Sequence, residues 1–167
     1  MASGDTLCVF TPLNNIPPAA SFATLDTRNS IDVLDFNDSA DELAVFKGIM
    51  PRHYAGTTGV TVYIHWMATD TMVTPHNIVW NAAFKSVTED ADDLDTKAFA
   101  ADNTTTDAEA SASGETAITV ITFTDGADMD TVLAGELFFL QITRDADNGS
   151  DTLTDDAELV IVEIKET

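Results

Sequence analysis

The chain has 167 residues, 44 % of them hydrophobic, and carries seven Lys and Arg against 29 Asp and Glu, a formal net charge of -22. That length suits one domain with a real core, and the apolar share is too high for a chain disordered throughout. The charge argues against nucleic acid and anionic membrane surfaces as partners, because both repel it, and directs the protein toward basic protein surfaces or cations.

The N-terminus, Met1-Ala2-Ser3-Gly4-Asp5, has no basic segment leading into an apolar one, so no signal peptide is expected. No run reaches the ~18 apolar residues of a membrane span. Leu7-Cys8-Val9-Phe10 reads as a first short strand, with the single cysteine as a small buried apolar side chain that can form no intrachain disulfide. Pro12, Asn14-Asn15 and Pro17-Pro18 then break any regular pairing. Residues 1–29 are therefore expected to be a strand plus an extended arm, either a surface loop or a segment lying across a neighbouring subunit.

From Ser30 onward short strand-like runs follow one another, and residues 30–167 read as a single domain. Ile31 to Phe36 and Leu43 to Met50 come first, then turn residues Gly48, Pro51, Gly56 and Gly59. Val60, Val62, Ile64 and Trp66 share one face of the next run, and Thr61, Tyr63, His65 and Met67 the other. Pro75 breaks the chain before Ile78, Trp80, Ala82 and Phe84 continue the alternation, so both tryptophans point inward. Thr88 to Thr116 is rich in Asp, Thr, Ala and Ser, and reads as a long acidic loop anchored by Leu94 and Phe99. Ala117 to Thr124, Phe138 to Arg144 and Glu158 to Lys165 complete roughly seven or eight strands. With no sustained helical stripe, the expected fold is all-β, an antiparallel β-sandwich of jelly-roll type.

No catalytic residues, cofactor site or metal site are signalled. His53, His65 and His76 lie 12 and 11 residues apart, too far for a local metal pair, and phosphate-loop, nucleophile-elbow and zinc-protease motifs are missing. The densest acidic stretch, Asp145-Ala146-Asp147-Asn148-Gly149-Ser150-Asp151 with Asp155, Asp156 and Glu158, invites a calcium reading. Its Gly149 falls fifth where the calcium-loop pattern wants it sixth, so a solvated hairpin loop turning at Asn148-Gly149 is preferred. In the last two strands alternation leaves Phe139, Leu159 and Ile161 on the faces opposite the core. These three become candidate contacts with another copy or with a shell of other subunits.

The segments Ala23-Thr24-Leu25-Asp26-Thr27-Arg28-Asn29, Val33-Leu34-Asp35-Phe36, Gly48-Ile49-Met50-Pro51-Arg52-His53-Tyr54, Gly59-Val60-Thr61-Val62-Tyr63-Ile64-His65-Trp66 and Thr143-Arg144-Asp145-Ala146-Asp147 resemble a group of small tailed-bacteriophage virion proteins. Jelly-roll capsid decoration (cement) proteins are the best match within that group. The resemblance implies a non-enzymatic homotrimer, made in the host cytoplasm and seated on the capsid surface against the major capsid protein. The alternative it leaves is a tail, baseplate or fibre module that binds host glycan or a neighbouring tail protein.

Overall fold

The structure, a computed structural model, describes residues 4–69 and 76–167; Met1 to Ser3 and the breaker Pro75 fall outside the described residues. Ten strands follow in order: β1 (Thr6–Phe10), β2 (Thr24–Arg28), β3 (Ile31–Phe36), β4 (Glu42–Ile49), β5 (Val60–Ala68), β6 (Asn77–Val87), β7 (Asn103–Ala108), β8 (Thr116–Phe123), β9 (Leu137–Arg144) and β10 (Ala157–Glu166). Among the described residues the only helical pieces are 3-10 turns at Pro12–Asn14 and Ala127–Met129. Among the described residues no helix is long and apolar enough to cross a membrane.

The strands pair antiparallel into two sheets, one running β2-β3-β10-β5-β8 and the other β4-β9-β6-β7. β10 is long enough to serve two neighbours along one edge, β3 through Ala157 to Leu159 and β1 through Val162 to Lys165. Taken alone, β3 to β10 give the orders β3-β10-β5-β8 and β4-β9-β6-β7, and all their connections cross between sheets except the β6–β7 step. That is the connectivity of a jelly roll.

Alternation built this sandwich. Val62, Ile64 and Trp66 of β5 and Ile78, Trp80 and Phe84 of β6 are all fully buried, as period-two patterning demands. Aromatic pairs stitch the two sheets: Phe36 meets Trp80 edge-on at 4.9 Å, Trp66 meets Trp80 at 6.1 Å, and Phe84 meets Phe123 at 4.9 Å. The Trp66 indole N–H donates to the inward hydroxyl of Thr119 at 3.0 Å.

Three expectations are corrected. β1 and β2 are both strands of the larger sheet, so residues 4–29 hold a second strand beyond the one strand and arm expected there. The arm proper, between them, lies along the chain's own β4. The stretch read as one acidic loop contains β7, whose inward face is Asn103, Thr105 and Asp107 and so carries no apolar alternation to detect. Those side chains face β8: Asn103 Nδ2 donates to the Thr122 carbonyl at 2.9 Å and the Thr105 hydroxyl to the Val120 carbonyl at 3.2 Å. β7 thereby satisfies acceptors along the open edge of β8.

Candidate binding surface

The arm is shaped by residues that cannot continue a strand. At its start Thr11 N–H donates to Asn14 Oδ1 at 2.8 Å, and the Asn14 N–H returns to the Thr11 carbonyl, closing one turn over Pro12 and Leu13. From Asn15 onward the chain runs along β4, the edge strand of the smaller sheet. Ile16 N–H donates to the Val45 carbonyl at 2.7 Å, and Val45 N–H donates to Asn15 Oδ1 at 2.9 Å. Further along, Ala23 N–H donates to the Leu43 carbonyl at 3.0 Å and Leu43 N–H to the Ser21 carbonyl at 2.9 Å. One sandwich edge is thus sealed by the protein itself.

Sealing that edge leaves apolar side chains on the outside. Leu13 is 64 % exposed, Leu25 53 %, Phe22 42 % and Ile16 41 %. Between the arm and β2 lies a groove of about 220 Å³ with Pro12, Leu13, Phe22 and Leu25 around it and Leu34 among its lining; every lining residue is uncharged. The surrounding sequence has the same character. Thr6 to Leu25 contains no Asp, Glu, Lys, Arg or His, although the chain carries 36 charged residues.

The three contact candidates do not form one patch. Leu159 is fully buried in the core. A β-bulge between Leu159 and Ile161 breaks the alternation of β10, so that Leu159, Val162 and Ile164 all face inward while Ile161 opposes His65 on the outer side of the larger sheet. Phe139 lies on the outer side of the other sheet, half-buried between Lys47 and Lys85 in register. The Lys85 ammonium sits 4.6 Å from the Phe99 ring centroid and 4.9 Å from that of Phe139. The groove residues that do cluster escaped the strand-by-strand reading because they flank an irregular arm. The uncharged run was the available signal.

The acidic loop after β9 is organised by an arginine. Arg144 is fully buried and donates to both carboxylate oxygens of Asp151 at 3.1 and 3.2 Å, and to the carbonyls of Phe36, Leu153 and Asp155. Asp151 also accepts from the backbone N–H groups of Val79 and Leu153, leaving it committed within the fold. The carboxylates that come together instead are Asp41, Asp145 and Asp147, with one oxygen of each within 4.8 Å of the others. Among the described residues these three are the ones that could hold a cation. Repulsion from Asp41 raises the Asp147 carboxyl above its ordinary range, while burial, and then Asp145, raises Asp102.

Other titratable groups serve the scaffold. Burial pushes the Cys8 thiol up to about 11, the opposite of an activated nucleophile, and Cys8 is half-buried rather than fully enclosed. Glu109 holds the start of β6, accepting from the His76 backbone at 2.8 Å and lying 3.0 Å from its Nδ1. Burial first, then the charges of Asp156, Glu158, Asp26 and Glu42, raises the Asp35 carboxyl to about 6. Structural ion-pair networks also perturb carboxyls in this way, and here Glu158 is itself paired with Arg28.

No family model matches this chain, and no curated protein matches it in sequence. Among solved structures it is similar to a family GH115 4-O-methyl-alpha-glucuronidase with specificity for decorated arabinogalactans, at 12 % identity and a TM-score of 0.53. The match covers 99 % of this chain but 18 % of that one, so the chain spans under a fifth of the enzyme's length. It is also similar to two xylan-binding domains from Paenibacillus barcinonensis Xyn10C. CBM22-1 matches at 8 % identity and TM-score 0.41, over 99 % of this chain and 96 % of that one. CBM22-2 matches at 15 % and 0.43, over 92 % of each. At such identities the likeness is one of fold alone.

Proposed function

We propose that the protein is a non-enzymatic virion structural subunit of the capsid-decoration type, docking against other protein subunits at the surface of a phage head. The observation that carries this reading is the uncharged, apolar arm surface, held rigidly by backbone hydrogen bonds to β4. Exposed apolar groups grouped around a groove are a feature of protein contact sites. Its position on a jelly-roll sandwich, and the resemblance of the strand segments to small virion proteins, support the same role. The acidic remainder of the surface favours a basic partner such as a capsid lattice offering Lys and Arg, and steers encounter with it.

Labelling intact particles with an antibody against this chain tests the proposal. Label spread over the head is the expected result. Label confined to the tail, or missing from particles, overturns it.

A second reading is supported by the outer face of the smaller sheet, where Phe139, Phe99 and Lys85 stand beside Gln141 and Asn81. Aromatic rings next to amide side chains suit a sugar ring, as a tail or fibre module binding host glycan would need. Glycan arrays decide it: binding lost in Phe139→Ala supports this reading, and no binding to any glycan removes it.

A further inference from the structure

We infer that the arm groove is a contact between copies of this chain, the apolar side chains around the groove of one copy packing against those of another. The inference rests on the reading that the arm surface is a docking site, and it names the occupant.

Charge selects that occupant. A basic partner is drawn to the carboxylate-rich surface that makes up most of the molecule, and a groove without charge gives it no anchor. A second copy is the reverse case. It carries the same -22 and is repelled wherever two acidic surfaces approach. The longest stretch of chain with no charged side chain at all is Thr6 to Leu25, the stretch that builds the arm and most of the groove. Two copies can close on one another there without placing carboxylate against carboxylate.

Shape agrees with charge. The same patch offers a hollow of about 220 Å³ and protruding apolar groups at its rim, Leu13, Phe22 and Leu25, exposed by 64, 42 and 53 %. A surface holding both knob and hole is self-complementary, which a symmetric contact between identical subunits requires. Burying those side chains removes apolar surface that an isolated subunit leaves in water.

The contact is apolar while the long-range force opposing it is ionic, so association strengthens with salt. From about 20 mM to about 0.5 M NaCl the Debye length falls several-fold, and the association constant is expected to rise by roughly tenfold or more. Sedimentation velocity and light scattering on the purified chain read this directly, with Leu13→Glu and Leu25→Glu as groove variants and Leu133→Glu, 60 % exposed and outside the groove, as the control.

The expected result is an oligomer that grows with salt in the wild type and the control, and a monomer at both salts in the two groove variants with near-UV circular dichroism unchanged. A wild-type monomer at every salt concentration overturns the inference. So does an oligomer that weakens with salt or persists in Leu13→Glu and Leu25→Glu. Head labelling with a monomeric wild type would retain the virion reading and remove this one, whereas a salt-strengthened oligomer missing from particles would do the opposite.

Discussion

Arg144 and Asp151 form an ion pair buried at both ends, with side chains 0 and 1 % exposed and 3.1 Å between Nη2 and Oδ1. The pair joins the end of β9 to the middle of the loop that follows. Because the guanidinium also serves the carbonyls of Phe36, Leu153 and Asp155, it ties β3 and the β9–β10 loop to one planar donor group. A sequence rich in Asp, which invites a calcium reading, has folded around its own internal cation.

Removing either end leaves the other charge buried and unpaired, which costs roughly 3–5 kcal/mol. Asp151→Ala and Arg144→Met are both expected to lower unfolding stability by that amount in urea titrations. The double variant Arg144→Met with Asp151→Leu is expected to recover only part of the loss, because three carbonyls still lack their donor. Full recovery would show that the carbonyl contacts contribute little.

The strands were legible wherever one face met the core and the other met water. The eight recognisable runs fall on β1, β3 to β6 and β8 to β10, and both tryptophans lie inward as their alternation requires. β2 was hidden because only one of its five residues is even half-buried, and β7 because its inward residues are polar groups facing β8. The binding surface was harder. Period-two counting across Leu159-Val160-Ile161 assumes an unbroken ladder, and one bulge residue inverts the answer. The arm's role depends on hydrogen bonds to β4, 20 to 30 residues away in sequence, which no local pattern encodes.

That bulge gives a direct mutational contrast. Leu159→Ala removes a fully buried side chain and is expected to cost about 2–5 kcal/mol. Ile161→Ala, on the outer face opposite His65, is expected to cost less than about 1.5 kcal/mol. Equal losses in chemical denaturation would place Ile161 in the core and refute the register.

Asp35 sets a pH dependence of known sign. It faces Glu158 directly across β3 and β10, and its Oδ1 is buried without a hydrogen-bond partner. Its folded pKa, about 6, lies above the ordinary 3.8, so the folded state binds this proton more tightly than the unfolded chain does. The site therefore favours folding fully below about pH 3.8, and that contribution is lost as pH rises through about 6. Discounted for partial exposure, Asp35→Asn is expected to stabilise the protein by about 1 kcal/mol at pH 7.5, with the advantage gone near pH 4. Thermal melts of the two proteins across that range measure it; an advantage that grows as pH falls would reverse the assignment.

Gly59 separates two reasons for a glycine. It has φ +87°, and an added Cβ would lie 2.0 Å from the Phe123 carbonyl oxygen and 2.9 Å from the Asp125 nitrogen. Both are backbone atoms where β8 ends beside β5, so β8 itself would have to move. Gly126 has a similar φ of +98° but open space where its Cβ would stand. With ψ −134° Gly126 lies outside the left-handed helical region, in one nearly reserved for glycine, so Gly126→Ala is expected to cost that backbone strain alone, about 1–3 kcal/mol. Gly59→Ala is expected to add a backbone clash to that strain and exceed about 3 kcal/mol. Urea midpoints of the two variants test the distinction, and equal midpoints would show that β8 yields freely at its C-terminal end.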